Sequence, residues 1–381
     1  MCMRKILLYI LFPLTAWAQT PVVDIPVVQL QSSRLSLQEV GRKQLQLDTS
    51  LLEAYASLGD LLRQQGPIYI KEQGALSSPS FRGTTASHTQ LLWNGISLNG
   101  VSHGQVDLAL FPASLFSDVA ITFGGHSAWT GSGAVGGSIH LKSAPSFKRV
   151  DRTQFLATKG SFGQEKYGIK RIVSNKHHFL KVGFSRLHSD NNFKYINTGL
   201  ASKPVEQQTH GQADAWHWVG DYAAKLDAKN QISFHSWLQR TEREVPSGMI
   251  SAASDAVQTD AAQRFLVEWK RQSKQGVLRF TQAHLLEQFT YKDPSKWIDS
   301  RYEAESSISK IHYRHFVKNI TWDIGWQQTK NQVANNYYVH IPKEDLGAFF
   351  TAVQIKEAQW KGVLSIRKET HPLYAVPLIP S

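Results

Sequence analysis

Alternation of apolar and polar residues after about residue 150 constrains the fold of this chain more than any other feature. In the run 320–327, Ile, Trp, Ile and Trp alternate with Thr, Asp, Gly and Gln. Successive side chains of a strand point to opposite faces, so this run predicts a strand with one apolar and one polar face. Similar runs lie at 154–160, 165–173, 179–187, 216–226, 231–240, 264–270, 277–286, 303–317, 347–356 and 359–368.

The connections between these runs alternate in length. Short polar turns occur near 174–176, 228–230 and 318–319, and longer loops near 189–214, 241–260 and 288–300. Strands of about ten residues with short turns at one end and long loops at the other are typical of an outer-membrane β-barrel. A water-soluble β-sandwich also alternates, but here one face carries Trp and Phe while the other carries Lys, Asp, Gln and Gly, which favours the barrel.

The N-terminus predicts export. Arg4 and Lys5 precede an apolar run over 6–14 and the small-residue site Ala16-Trp17-Ala18, so residues 1–18 form a predicted signal peptide cleaved after Ala18. A helix crossing a bilayer needs about 20 apolar residues, which no later stretch supplies, so any membrane entry would use strands. The single cysteine, Cys2, excludes a disulfide scaffold and a multi-cysteine zinc site.

The region before residue 150 predicts a small α+β domain behind an extended arm. Residues 19–34 carry Pro21 and Pro26, which disfavour a helix and indicate an exposed arm or a disordered N-terminus without a role. Leucines at helical spacing predict a helix from Thr49 or Ser50 to Gln65, with Asp48 or Thr49 as its cap and Gly66-Pro67 at its end. The sequence alone does not decide which of these two residues caps the helix.

Enzyme chemistry is not indicated. Residues 131–136 fit the dinucleotide fingerprint G-x-G-x-x-G, but they lead into an alternating strand and not into the helix that this site requires. Histidine pairs at 177–178 and 312/315 point to opposite faces of strands, with no clustered carboxylates. We therefore predict no catalytic residue, no metal and no cofactor. The charge of +12, spread along the strands, fits anionic lipid or lipopolysaccharide better than nucleic acid.

Four pieces of the region 58–145 follow one another as "SLGDLLRQQGPIYIKEQG", "SFRGTTASHTQLLWNGISLNG", "GQVDLALFP" and "VAITFGGHSAWTGSGAVGGSIHLKSAP". By these pieces, in this order and spacing, residues 58–145 resemble the plug domain of TonB-dependent outer-membrane receptors. The resemblance implies a plug inside a 22-stranded barrel that imports scarce nutrients, chiefly cobalamin and iron chelates, with energy from TonB. The second and third pieces are most similar to the cobalamin-receptor branch.

The resemblance gives individual plug residues a meaning. Arg82 of "FRG" is expected to pair with barrel carboxylates, and Asn94-Gly95 to form a type I′ turn that closes a hairpin. The plug-motif and plug–barrel contact residues are Arg82, Gly83, Asn94, Gly95, Asp107, Gly125, Gly131, Gly133, Gly136 and Gly137.

The resemblance also implies a partner for the arm, since members of that family carry a TonB-binding segment just before the plug. We expect that segment to add as a strand to TonB, which acts with its inner-membrane energising complex. Its residues here are Asp24, Ile25, Pro26, Val27, Val28, Gln29 and Leu30. The other expected partners are a nutrient ligand and outer-membrane lipid or lipopolysaccharide, with no nucleic acid.

The predicted organisation is a signal peptide (1–18), an arm (19–34), a small α+β plug domain (35–147) and antiparallel transmembrane β-barrel strands (148–381). At about 20 residues per strand and connection, the last segment supplies about half of 22 strands. We therefore expect the N-terminal part of a receptor with an incomplete barrel. The alternative is a non-transporting fragment that acts only as a folded plug or binding module in the envelope.

Overall fold

The computed structural model describes residues 44–380, with gaps at 48–51, 53–54, 56, 67, 74–75, 102–103, 125–130, 132, 252–253, 338–341 and 358. The predicted signal peptide (1–18), the arm (19–34) and Gly125 lie outside the described residues. Within the described ranges, no helix is long and apolar enough to cross a membrane.

The plug domain is a small α+β fold, as predicted. Its elements are β1 (Gln44–Gln46), α1 (Leu58–Gln65), β2 (Tyr69–Gln73), β3 (Leu76–Ser80), β4 (Thr89–Trp93), β5 (Ile96–Ser97), β6 (Asp118–Phe123) and β7 (Gly137–Lys142). A five-stranded sheet has the order β1-β6-β7-β4-β5, in which β4 and β7 are parallel, and β2 and β3 form a separate pair. The leucines of α1 are buried in the core of this domain.

The helix α1 is shorter than predicted. The Ser57 hydroxyl accepts a hydrogen bond from the Asp60 N–H (3.2 Å), and the Asp60 carboxylate accepts one from the Ser57 N–H (3.3 Å). This capping box starts the helix at Leu58, so the predicted start at Thr49 or Ser50 is wrong. Leu52 is buried outside the helix, and its helical spacing reflects burial alone. The predicted end is confirmed, because Gly66 follows the last helical residue.

A twelve-stranded antiparallel sheet follows, which we call the wall sheet. Each of the eleven alternating runs corresponds to one strand, and a short twelfth strand pairs with the last of them. Its strands are β8 (Val150–Lys159), β9 (Glu165–Ser174), β10 (His178–Ser189), β13 (Ala213–Lys225), β14 (Asn230–Glu244), β15 (Val257–Gln272), β16 (Gly276–Asp293), β17 (Ile298–Val317), β18 (Ile320–Asn335), β19 (Lys343–Lys356), β20 (Lys361–Thr370) and β21 (Ile379–Pro380). The hairpin β11 (Lys194–Ile196) and β12 (Val205–Gln207) lies in the loop after β10.

Several wall strands are longer than the ten residues predicted. β17 has 20 residues and β16 has 18. The predicted long loop at 288–300 is wrong, because these residues end β16 and begin β17, with one turn at 294–297 between them. Polar residues face both sides of the sheet there, so the alternation that marks a strand disappears although the strand continues.

The two faces of the wall sheet are inverted relative to a soluble protein. Trp322 and Trp326 are 47% and 39% exposed, whereas Asp323 between them is 1% exposed. The apolar face therefore points outward and the polar face lies against the plug domain, which is the arrangement of a lipid-facing barrel wall.

Candidate functional site: the interface between plug and wall

The plug domain packs on the polar face of the wall sheet around one fully buried indole. Trp237 of β14 is 0% exposed, and its ring meets the edges or faces of Trp93, Phe111 and Phe116 at centroid distances of 6.0, 5.3 and 5.1 Å. The Arg264 guanidinium lies 4.6 Å from the Trp237 ring centre. Each aromatic pair contributes about 0.5–1.5 kcal/mol beyond area burial, so this cluster is the apolar anchor of the plug.

An ion pair joins the plug to the wall beside that anchor. The Asp107 carboxylate lies 2.7 Å from Nη2 of Arg243, whose side chain is 5% exposed. The other carboxylate oxygen of Asp107 accepts hydrogen bonds from the N–H groups of Ser77 (2.9 Å) and Ala109 (3.0 Å). Asp260 lies 3.7 Å from the same arginine nitrogen. The structure thus places Asp107 at the contact between plug and wall and gives it a partner, Arg243, that sequence reasoning missed.

A buried lysine makes a second polar contact. Lys181 of β10 forms an ion pair with Asp221 of β13 (2.7 Å) and donates hydrogen bonds to the Leu115 carbonyl (3.1 Å) and the Ser143 hydroxyl (3.2 Å) of the plug. Asp221 also lies 2.6 Å from Nδ1 of His235. Both members of the ion pair are 3% exposed or less, so the plug supplies polar partners that a buried ammonium requires.

Two further lysines of β9 hold plug backbone. Lys166 donates to the Tyr55 carbonyl (2.7 Å) and Lys170 to the Ser114 carbonyl (3.3 Å). Sequence reasoning missed these residues, although the alternation contained a signal. Basic residues on the polar face of a barrel strand must find partners inside the barrel, and plug carbonyls are the nearest acceptors.

The predicted turn at Asn94-Gly95 is present. Both residues have positive φ, 47° and 86°, and they join β4 to β5 as a two-residue loop, which fits a type I′ turn. The Asn94 side-chain oxygen accepts a hydrogen bond from the Ser143 N–H (2.9 Å), which fixes the turn to the end of β7.

The described glycines of 131–137 pack closely and lead into a strand, whereas the dinucleotide fingerprint requires a helix there. Gly131 and Gly133 have φ near 90°, and Gly136 and Gly137 lead directly into the strand β7. A Cβ on Gly137 would lie 2.7 Å from the Thr122 carbonyl oxygen, so only glycine fits there. The sequence motif therefore serves the packing of the plug.

Arg82 lies in an exposed turn of the plug. Its side chain is exposed, and it sits in a turn with φ of 47° followed by Gly83 with φ of 81°. Among the described residues, no carboxylate forms an ion pair with Arg82. The expected pairing with barrel carboxylates stays a prediction.

His140 of β7 is the plug residue with the most perturbed titration. Burial, and secondarily the positive charge of Lys142, lower the pKa of His140 to about 4. Its Nε2 lies 2.9 Å from the Ser138 hydroxyl and 3.3 Å from the Thr122 hydroxyl. The imidazole is therefore neutral at pH 7.

Two cavities lie between the plug and the wall. One of about 460 Å³ is lined by Asp107, Arg243 and Arg264 among others. The other, of about 580 Å³, is lined by the plug residues Gln90 and Gly131 and by wall residues of β16–β20. Among the residues described, no group of three or more His, Cys, Asp or Glu side chains is placed to hold a metal ion. The site thus combines polar contacts and cavities with an apolar core, in which Val219, Leu266, Leu285 and Ile308 of the wall join Trp237 and the plug.

Comparison with known sequences identifies relatives of the plug. Residues 32–138 match the family model described as the TonB-dependent receptor plug domain. The vitamin B12 transporter BtuB of Vibrio vulnificus (strain YJ016) is 32% identical over 94 residues, which are 24% of this chain and 15% of BtuB.

Comparison with solved structures extends the likeness to the wall sheet. A mutant of the ferric enterobactin receptor PfeA of Pseudomonas aeruginosa superposes with a TM-score of 0.69 at 11% identity, over 90% of this chain and 59% of PfeA. The ferric yersiniabactin uptake receptor FyuA of Yersinia pestis gives a TM-score of 0.65 at 12% identity, over 90% of this chain and 60% of FyuA. At such low sequence identity, these superpositions show that the fold is shared and nothing more. This chain spans 60% or less of the length of either receptor.

Proposed function

We propose, since residues 32–138 match the TonB-dependent receptor plug domain and the wall sheet shares the fold of such receptors, that this chain is a TonB-dependent receptor that imports a scarce nutrient such as cobalamin or an iron–siderophore complex. The proposal places the chain in the outer membrane as a transport receptor and not as an enzyme, which the plug match and the shared receptor fold support. Transport by this chain, its substrate and its use of TonB are parts of the proposal.

The observation that carries the proposal is how the plug is held. Around the shared apolar core, the plug is held by hydrogen bonds and ion pairs, such as Asp107–Arg243 and Lys181 to the Leu115 carbonyl. Water can replace polar partners at a seam that already borders cavities, at a cost far below that of exposing a hydrophobic core. This supports a plug that can be displaced to open a path along the wall.

The coupling segment in this proposal is Asp24–Leu30, which lies outside the described residues. Val27 and Val28 would supply apolar side chains to a strand added to TonB. Backbone N–H groups give such a strand most of its affinity. A proline in the segment would remove one donor and weaken the pairing.

The test is uptake by cells that carry the chain as their only candidate receptor, with radiolabelled cyanocobalamin and a panel of ⁵⁵Fe-siderophores as probes. We expect Val27→Pro or Val28→Pro to abolish uptake and to retain surface binding of the probe. Val22→Pro, outside the segment, is the matched control and should transport normally. Normal uptake by both segment variants would place the coupling segment elsewhere, and no TonB-dependent uptake of any probe would refute transport.

A second candidate function is a non-transporting binding module of the envelope. It is favoured by the sheet itself, since β8 and β21 form its two edges and are not paired with each other among the described strands. Unpaired edge groups are costly in lipid. Binding of a probe by the wild-type chain without uptake would favour this candidate.

A further inference from the structure

We propose that the polar face of β15–β20 carries a binding site for the anionic groups, carboxylate or phosphate, of a transported solute, a proposal that rests on the transport function above. The site centres on basic side chains that the register of these strands brings side by side. The substrate class that follows is a solute bearing several negative charges.

The register builds a continuous row across six strands. Each member lies directly opposite the next on the neighbouring strand. On β15–β18 the row lies closer to the short-turn ends of the strands than to the long-loop ends. We define the basic row by its members in strand order, Lys270, Arg279, His312, Gly325, Phe350 and Arg367. With strands about 4.8 Å apart, the row extends over roughly 24 Å.

Phe350 forms the floor of the row. A Cβ on Gly325 would collide with the Phe350 ring, so glycine lets this ring lie flat against the wall. The ring centre lies 5.7 Å from Nζ of Lys310, 5.9 Å from the guanidinium carbon of Arg367 and 5.8 Å from the His312 ring. An aromatic floor excludes water beside these cations, which strengthens their attraction for an anion.

Some of the positive charge is already neutralised. Arg314 and His312 both contact Asp323, at 2.7 and 2.6 Å, and Arg367 contacts Glu369 at 2.6 Å. Lys310 and Arg279 differ, because neither forms a hydrogen bond or ion pair within the described part of the chain. The Glu268 carboxylate acts on both cations, and Asp323 also acts on Arg279, but the cations of this region outnumber these carboxylates. An anion that joins Lys310 and Arg279 would therefore be stabilised.

The row reaches a cavity at Arg367. This side chain is 2% exposed, its Nη1 has no hydrogen-bond partner, and it lines the cavity of about 580 Å³. A Cβ built on Gly131 of the plug would lie 3.2 Å from Nη2 of the same arginine. An anionic group entering the cavity would therefore meet a free N–H of Arg367 and could pass along the wall toward Arg279 and Lys310.

The test is anion binding by the purified full-length chain in detergent micelles, measured by isothermal titration calorimetry with citrate and, separately, inorganic phosphate. We expect at least one of the two to bind, and Lys310→Met and Arg279→Gln each to weaken that binding about tenfold. Arg271→Gln is the matched control, since Arg271 adjoins Lys270 but is exposed. It should bind as the wild type does. The preferred probe identifies the solute group as carboxylate or phosphate.

Two results would overturn the site: neither anion binds the wild-type chain, or both variants bind as tightly as Arg271→Gln. Lys310→Arg keeps the charge and should retain binding, which separates loss of charge from loss of folding. Circular dichroism on each variant checks the strands. The binding assay needs neither TonB nor uptake, so the two proposals can fail separately. Anion binding without transport would refute only the proposed function. Transport without anion binding would refute only the site.

Discussion

Asp107 and Arg243 lie 136 residues apart in sequence and 2.7 Å apart in the structure. The motif around Asp107 was readable from the sequence, as was the turn at Asn94-Gly95, because both depend on local residue types. The ion-pair partner of Asp107, by contrast, could not be predicted from the sequence. Which arginine of the wall faces Asp107 depends on strand register and on how the plug sits, and neither leaves a local pattern.

Removing Arg243 should destabilise the seated plug. Arg243→Met leaves the Asp107 carboxylate buried without its cation, a change that costs about 3–5 kcal/mol in other buried pairs. The free energy of unfolding would be measured by guanidinium denaturation in micelles, followed by tryptophan fluorescence. Arg240→Met on the same strand is the control, because its side chain is 53% exposed and its pair with Glu242 contributes at most about 1 kcal/mol. Equal losses in both variants would contradict this assignment.

His140 should make the stability of the plug depend on pH. Its folded-state pKa of about 4 lies below the unfolded value of 6.5, so the unfolded chain takes up a proton first as the pH falls. Stability is full above pH 6.5 and falls between pH 6.5 and 4, by about 3 kcal/mol at most. His140→Gln should flatten this part of the profile in calorimetric unfolding. An unchanged profile would show that other groups govern the acid range.

At the scale of elements, the alternation of apolar and polar residues predicted the strands well, whereas the spacing of leucines placed the start of the helix wrongly. All eleven alternating runs proved to be strands, because a barrel wall must alternate along its lipid-facing length. Helix α1 was predicted too long, since buried leucines continue the helical spacing beyond the cap at Ser57. The end of β16 and the start of β17 were predicted as a loop, because apolar and polar residues need not alternate in a strand whose two faces both contact water.

The cap at Ser57 can be tested directly. Ser57→Ala removes the acceptor for the Asp60 N–H and should cost about 1 kcal/mol of plug stability. Ser57→Asp keeps a good cap residue and should be nearly neutral. Both would be measured by denaturation in micelles at pH 7. A neutral Ser57→Ala would mean that the capping box does not determine where the helix starts.

At the scale of the whole molecule, the inverted faces predict lipid contact with a period of two. The only cysteine of the sequence is Cys2, so a cysteine-free background needs one substitution. Nitroxide labels at Phe349, Thr351 and Val353 of β19 should collide often with oxygen dissolved in the bilayer. Labels at Ala348 and Ala352, which are 8% and 3% exposed, should not. A flat oxygen-accessibility profile in reconstituted vesicles would contradict a lipid-facing wall.

The unequal strand lengths set the depth at which the molecule sits. A 20-residue strand is about 66 Å long and, tilted by about 45°, rises about 47 Å, well beyond the roughly 30 Å of hydrocarbon. On the outward side of β17, Asp299, Arg301, Glu303 and Glu305 give way to Ile311 and Tyr313. On β18, Lys330 and Gln328 give way to Trp326 at the same level, because Gln328 lies opposite Ser309. The boundary of the hydrocarbon layer therefore runs near Ser309, and the part of the wall beyond it stands free of the bilayer as a polar rim.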